Sequence, residues 1–302
     1  MNTWYRVIEE DCLEYLNGDA DSKIHLSFID PPFNQGKDYR HFNDNMPDEQ
    51  YWNWIESVLG KIYEKTVDGG SIYFMQREKN AEQVLRVIRA SRWVYQNLII
   101  WRKKTSAVPS DFRFSKQYQI IVFATKTEKP RVFNKLRIDL PIPPGYKYER
   151  DNGVYISDVW DDIRELTSGY FAGDEALRDS QGNRFHNQQS PIALLLRIIL
   201  TSSMPGDVVF DPFVGTGTTL VVANQLGRNS IGTEIDPENV RIIEERLKYP
   251  RKADDVSKYY EYYRYTQNLE QIWPEREIII TNSSEQMRFL LMYNKHRKRI
   301  VK

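Results

Sequence analysis

Apolar and polar positions fall into short blocks along this chain, and the spacing within each block separates strands from helices. The first block, Ile24-His25-Leu26-Ser27-Phe28-Ile29, reads as a buried strand that runs into Asp30-Pro31-Pro32. Two prolines donate nothing to a sheet ladder, and each pushes the residue before it toward extended backbone, so the strand ends there in a rigid loop. A helix follows that Asp48 can cap, with Tyr51, Ile55, Val58, Leu59 and Ile62 on one face. Gly69-Gly70 ends that unit, and Ser71 to Met75 reads as a second buried strand. Glu78 to Ala90 is a helix with Val84, Leu85 and Ile88 inward, and Asn97 to Trp101 and Gln119 to Ala124 are further strands. The repeated strand–helix order predicts an α/β sheet.

From Lys126 to about Phe185 the periodicity fades, and Pro130, Pro141, Pro143, Pro144, Gly145, Gly153, Gly169, Gly173 and Gly182 interrupt the chain. This stretch reads as an irregular insertion. Pattern resumes at Ser190, a good N-cap, and Pro191, a good first helical residue, leading into IALLLRIIL. Asp207 to Asp211 is a short strand, Pro212 to Gly217 a glycine-bearing loop, and Thr218 to Leu226 a helix closed by Gly227. Ser230 to Ile235 is the next strand, and Asp236-Pro237 starts a helix with Val240, Ile243 and Leu247 inward. After Pro250, five tyrosines crowd between Tyr259 and Tyr265, and the sequence ends in KHRKRIVK. No internal repeat is visible.

Composition changes this picture little. The 302 residues are 40% hydrophobic and 28% charged, which suits a soluble globular chain with a sizeable core. Cys12 is the only cysteine, which excludes an intramolecular disulfide and a multi-cysteine zinc site and fits a reducing compartment. The N-terminus lacks the apolar segment of a secretory signal, and Arg197 interrupts the longest greasy stretch, Ile192 to Leu200, so no membrane span is expected. Lys+Arg and Asp+Glu both number 42, a balance that neither advertises nor excludes a nucleic-acid partner, because phosphate contacts depend on where charge sits.

Chemistry enters at two loops. Asp211-Pro-Phe213-Val-Gly215-Thr-Gly217-Thr218-Thr lies between a strand and a helix, where glycines let the backbone turn sharply and approach a ligand. Glu234 ends the next strand, where a carboxylate can accept both hydroxyl hydrogens of a ribose. A dinucleotide fingerprint wants a small residue where Leu220 stands, and a phosphate-cradling Walker loop wants a lysine that is missing. An adenosyl cofactor without phosphates, S-adenosylmethionine, fits better. A bare strand–turn–helix would use the same glycines for geometry alone; Glu234 tilts the reading toward a ligand.

Asp30-Pro31-Pro32-Phe33, taken alone, suits a rigid turn with an exposed carboxylate as well as it suits a site. The chemical reading is more specific. An amino group on adenine or cytosine is a poor nucleophile, because its lone pair is delocalised into the ring. A carboxylate and a backbone carbonyl that accept its two N–H bonds draw the nitrogen toward sp³ and free that pair. Asp30 and the Pro31 carbonyl would be the acceptors, Pro32 would stiffen the loop, and Phe33 would stack on a base taken out of the duplex.

These two motifs, in this order, resemble the amino-group DNA methyltransferases of the circularly permuted type called class beta. The resemblance covers roughly residues 5–125 and 186–250. It implies a Rossmann-like methyltransferase sheet with helices on both faces, plus an irregular inserted target-recognition region. Residues 1–126 and 186–250 would form the catalytic and cofactor-binding core, 127–185 the target-recognition region, and 251–302 a C-terminal extension. It also implies that Asp211, Phe213, Gly215, Gly217 and Thr218 hold the cofactor, Glu234 its ribose, and Asp11-Cys12 its adenine. His186, Ser190 and Pro191 would meet the methionine end. No metal is implied. Ser190 stands where the family often has lysine, and Gln119 where it often has glutamate.

Arg102-Lys103-Lys104, with Arg113 and Lys116, brackets a loop carrying Phe112 and Phe114, a combination that suits a nucleic-acid groove or a solvated loop. The function expected is methyl transfer from S-adenosylmethionine to the N6 amino group of adenine in double-stranded DNA, with the target base flipped out. Asp rather than Ser in the catalytic loop favours adenine; cytosine-N4 is the runner-up. A DNA-binding relative without catalysis is a third reading, disfavoured by intact Asp30, Gly215, Gly217 and Glu234. A dehydrogenase is a fourth, disfavoured by Leu220 and by the Asp-Pro-Pro-Phe loop. A cognate restriction endonuclease as partner, a monomer or homodimer, and the cytoplasm of a prokaryotic cell complete the expectations.

Overall fold

The computed structural model describes residues 3–18, 23–105, 108–141, 151–166, 173–178, 182, 185 and 189–274. Its strands and α-helices follow one another as β1 (Tyr5–Glu9), α1 (Cys12–Asn17), β2 (Ile24–Ile29), β3 (Asp38–Tyr39), β4 (Phe42–Asn43), α2 (Asp48–Lys65), β5 (Thr66–Arg77), α3 (Ala81–Ala90), β6 (Val94–Arg102) and β7 (Tyr118–Thr125). Then come β8 (Arg137–Ile138), β9 (Val154–Tyr155), β10 (Val159–Trp160), α4 (Ile192–Ser202), β11 (Val208–Asp211), α5 (Thr218–Gln225), β12 (Asn229–Glu234), α6 (Pro237–Lys248) and α7 (Leu269–Ile272).

Eight strands form one sheet in the order β1-β12-β11-β2-β5-β7-β6-β10. Neighbours are parallel except β7, which runs antiparallel to both β5 and β6. The pleat explains how the sheet is covered. Along β5, Ile72 and Phe74 face α1, α2 and α3, whereas Tyr73 and Met75 face α4 and α5. The crossover from β2 to β5 therefore uses one face and that from β11 to β12 the other. Chain direction around the sheet reverses between β11 and β2, which are adjacent and parallel, so a crevice opens at their carboxyl ends. The α/β sheet with helices on both faces is thus as expected.

Local differences from the sequence reading have physical causes. Gly69-Gly70 does not end a unit but lies inside β5: the register slips between Ile24↔Thr66 and Leu26↔Ser71, and the extra residues bulge. A β-carbon on Gly69, whose φ is +69°, would stand 2.7 Å from the Arg131 amide nitrogen. The glycine permits that close approach. Asp48 is the first helical residue of α2 rather than its cap; Pro47 precedes it without a side-chain bond. Ser190 likewise does not cap α4. Pro191 holds the cap position, and the amide of Ile192 donates to Glu175 Oε2 at 3.1 Å, which frees the Ser190 hydroxyl for another partner.

The irregular stretch is tied to the main sheet. β10 lies beside β6, and Leu136, Ile138, Trp160 and Ile163 join the core under α4. Arg197, fully buried on α4, forks onto Asp162 of this stretch. Residues beyond Pro250 pack too: Val256, Tyr263, Leu269, Ile272 and Trp273 enter the same core, and Asp254 pairs with Arg246 of α6 at 2.8 Å. The KHRKRIVK segment lies outside the described residues.

Candidate functional site

Asp30 stands one residue past β2, at the crevice. The two prolines after it are held from behind. Tyr51 of α2 donates its hydroxyl to the Pro32 carbonyl at 2.7 Å, and the buried Gln76 of β5 donates to that hydroxyl at 2.9 Å. The Pro32 acceptor is therefore occupied, whereas no donor among the described residues meets the Pro31 carbonyl. On the open side, the Ser190 hydroxyl donates to Asp30 Oδ2 at 3.2 Å. Burial, and then the charge of Asp211, push the Asp30 carboxyl up to about 7, against the Ser190 hydroxyl and the lysines 103 and 37.

Phe33 departs from expectation. Its ring is 4% exposed and packs with Leu26 and Phe28 in the core, and it is not on the crevice wall. A phenylalanine that follows a buried strand gains more from the core than from water, so the ring turns inward.

The second loop meets the first. Asp211 Oδ1 accepts the Phe213 amide at 3.0 Å and Oδ2 accepts the Thr219 hydroxyl. Burial raises this carboxyl also to about 7, offset by those donors and reinforced by Glu234. Gly217, with φ +82°, opens α5; a β-carbon there would stand 2.8 Å from Ile243, so the turn needs glycine for packing as well as for angle. Glu234 is raised by burial, against the Asp236 amide that donates to it at 3.0 Å. Asp11 caps α1 by accepting the Leu13 amide at 2.8 Å, and Cys12, buried beside it, has its thiol pushed well above the usual range by burial. The Thr218 hydroxyl is engaged by Arg246 at 3.1 Å.

Together these residues enclose one cavity of about 430 Å³. Its walls include Asp11, Cys12, Asp30, Pro31, Pro32, Ser190, Asp211, Phe213, Gly215, Thr218 and Glu234. Gly217 and Pro191 shape the walls without lining them, and His186 lies outside the described residues. Glu10, Asp11, Asp30, Asp211, Glu234 and Asp236 face the cavity against the cations Lys37 and Arg40 and one histidine, His41. Six carboxylates to two cations would repel the phosphates of a dinucleotide and suit a ligand with a positive charge and hydroxyl donors. The residues present therefore fit S-adenosylmethionine. Among the described residues no cluster of His, Cys, Asp and Glu is arranged to hold a metal, and no helix is long and apolar enough to cross a membrane.

Sequence reasoning missed the flap over this cavity. Asp44, 2% exposed, accepts the amides of Asn34, Gln35 and Lys37 at 2.7, 3.1 and 3.0 Å and so folds residues 34–46 into a compact loop. That loop carries Lys37, Tyr39, Arg40 and Phe42 to the cavity, and Arg40 ties it to Asp236 and Glu238 at the start of α6. A lone Asp among asparagines carries no sequence signal of this. Tyr51 was legible only as part of an apolar face; its hydroxyl is the feature that matters.

The expected DNA-contacting residues are at the same end of the sheet. Lys103 lies near enough to Asp30 and Glu165 to feel both charges, and its amine sits 5.5 Å from the Trp101 ring. Arg102 pairs with Asp161 at 3.4 Å and Lys116 with Glu78 at 2.5 Å, while Lys104 and Arg113 are exposed.

Residues 24–245 match the family described as DNA methylase. Type II methyltransferase M.HpaI of Haemophilus parainfluenzae is 30% identical over 246 residues, 80% of this chain and 74% of that protein. DNA adenine methyltransferase YhdJ of Escherichia coli (strain K12) is 29% identical over 254 residues, 80% and 82% of the two chains. Among solved structures, the cytosine-N4-specific PvuII DNA methyltransferase superposes with a TM-score of 0.60 at 20% identity, over 87% of this chain and 93% of that one.

Proposed function

We propose that this chain, which belongs to the DNA methylase family and is an S-adenosylmethionine-dependent DNA methyltransferase, acts on the N6 amino group of adenine in double-stranded DNA. The observation that carries the reading is the meeting of both loops in one cavity: Asp30 and the Pro31 carbonyl on one wall, Asp211, Gly215 and Glu234 on the other.

The cofactor supplies an electrophilic methyl group beside a positive charge. Glu234 would accept its ribose hydroxyls, Asp11 and Cys12 would border its adenine, and Phe213 would pack on it. Asp30 and the Pro31 carbonyl would accept the two N–H bonds of the target amine and aim its lone pair into the cavity. Ionised Asp30 is the better acceptor, and it is the group to take the proton as the amine gains its methyl. The Ser190 hydroxyl occupies Oδ2 and so leaves Oδ1 for the amine.

Adenine is favoured by Asp30 in the loop and by the adenine-specific relative, whose name applies to that protein. The fold does not discriminate, because a cytosine-N4 enzyme shares it. Mass analysis of nucleosides from DNA treated with the purified chain decides: N6-methyladenine is expected, and N4-methylcytosine alone would refute the base assignment while leaving the reaction. Residues 127–185 are our candidates for target recognition, a restriction endonuclease of the same site is the expected partner, and the prokaryotic cytoplasm is the expected location.

A further inference from the structure

The loop between β6 and β7 is built unlike any other part of the described surface. Val108, Phe112 and Phe114 are 90%, 92% and 99% exposed, a concentration of bare apolar surface that water disfavours. A backbone bridge between Ser110 and Arg113 turns the chain tightly there, and the exposed Phe112 lies within that turn. The root of the loop is fixed: the Lys103 amide donates to the Gln117 carbonyl at 2.7 Å, and Glu165 accepts the amides of Lys104 and Thr105 at 2.8 and 2.9 Å. A pinned root under a bare tip is the shape of a probe.

Its charge and position say what it probes. Residues 102–117 contain five basic side chains and one acidic, in a chain whose totals balance at 42 each. β6 is antiparallel to β7, which is antiparallel to β5, so β6 ends at the same end of the sheet as β2 and Asp30. Lys103 at the root lies within electrostatic reach of Asp30. A polyanion drawn to Arg113 and Lys104 would bring its interior against Phe112 and Phe114.

We propose that Phe112 and Phe114 form a wedge that enters the base stack of duplex DNA beside the target and fills the gap left when that base swings into the Asp30 cavity. This rests on the function proposed above and adds a residue-level device to it. The physical need is plain: Asp30 is recessed, so the amino group must leave the helix to reach it, and unstacking is unfavourable unless something apolar replaces the lost contacts. Phe33, turned into the core, is not placed to supply that replacement.

The test compares the wild-type chain with Phe112→Ala/Phe114→Ala and Phe112→Leu/Phe114→Leu on one DNA sequence, the site found by sequencing DNA modified in cells. Each is offered it as duplex, as single strand, and as duplex mismatched at the target. The alanine pair should methylate the duplex about 10- to 100-fold more slowly, yet stay within about threefold of wild type on the single strand and the mismatch, where no stack must be opened. The leucine pair should recover much of the duplex rate, because an apolar wedge is restored. Cofactor affinity and melting temperature should not move, since both rings lie in water. Equal losses on all three substrates, undiminished duplex turnover, or a change in sedimentation that shows the rings joining two copies of the chain would each overturn the wedge. If the wild-type chain binds cofactor but methylates no DNA, the proposed function itself falls.

Discussion

Replacing Ser190 by alanine isolates a hydrogen bond made, just before α4, to the carboxylate proposed to accept the target amine. The hydroxyl donates to Asp30 Oδ2 at 3.2 Å, long for a bond to a charged oxygen, so its worth belongs at the low end, about 1 kcal/mol. Lost from the ionised form alone, that energy raises the carboxyl by about 0.7 pH units from its position near 7. In the proposed mechanism ionised Asp30 is the better acceptor and the group that takes the proton, so activity should fall as pH drops through its pKa, and the variant should fall sooner. Below the midpoint of its acid limb, which a bound cation sets below the value of the free chain, the variant should transfer methyl up to roughly fivefold more slowly than wild type, and at pH about 8.5 the two should agree. The assay is single-turnover transfer of a labelled methyl group into DNA across pH 6 to 9, read as the difference between the two acid limbs. A limb that stays in place, or a loss equal at every pH, would refute the reasoning, since it would mean the hydroxyl acts by some route other than the charge on Asp30.

Asp30→Asn should abolish most transfer and yet stabilise the free chain. A carboxyl raised in the fold gives stability that is present below its unfolded pKa near 4 and lost as pH rises through about 7, so the amide should melt higher at pH 8, by on the order of 2 kcal/mol, with the gap closing toward pH 4. Tyr51→Phe strips the Pro32 carbonyl and the buried Gln76 amide of a partner; a loss of about 1–3 kcal/mol in urea unfolding is expected, with kcat falling and the cofactor Kd little changed. Glu234→Gln should weaken cofactor binding by about tenfold in calorimetry while sparing the melting temperature of the free chain. Calorimetry of cofactor binding at pH about 7 in two buffers of different ionisation enthalpy should report proton release, because a cation placed near Asp30 and Asp211 favours their charged forms; proton uptake would contradict that.

The elements with a clean period were legible. β2 spans the residues that its apolar block marks, because it is packed on both faces of the sheet, and the buried face of α2 is the one its spacing predicts, because that helix packs on one side only. The loops were legible as chemistry but not as geometry. Asp30, Asp211 and Glu234 carry motif spacing, whereas the Asp44 hub and the Tyr51–Pro32 bond depend on partners distant in sequence. Phe33 shows the limit most sharply: its place in the motif suggests a stacking surface, but burial in the core settles where its ring goes. Ser190 shows the converse. A serine before a proline is a capping signal, and that signal is overridden because Glu175, from the irregular stretch, takes the helix amide and leaves the hydroxyl to Asp30.

Two carboxyls raised by burial in one cavity are a strain that the rest of the chain must hold. It does so with contacts remote from the crevice: the Arg246–Asp254 pair fastens the start of α5 to the segment beyond Pro250, and the buried Arg228 guanidinium donates to the carbonyls of Ser203, Leu226 and Ile272. Without that frame, the cheapest relief would be for the loops to part and let water reach Asp30 and Asp211. Because the frame holds them, relief comes instead from protonation or from a cation. On the proposed site, protons and cofactor would therefore compete for the same two carboxyls, and by linkage each would weaken the other's binding. The form of Asp30 that a cation would favour is the ionised one, the form proposed to accept the target amine. Binding and activation would then be one electrostatic event at this site, coupled by the rigidity of its walls.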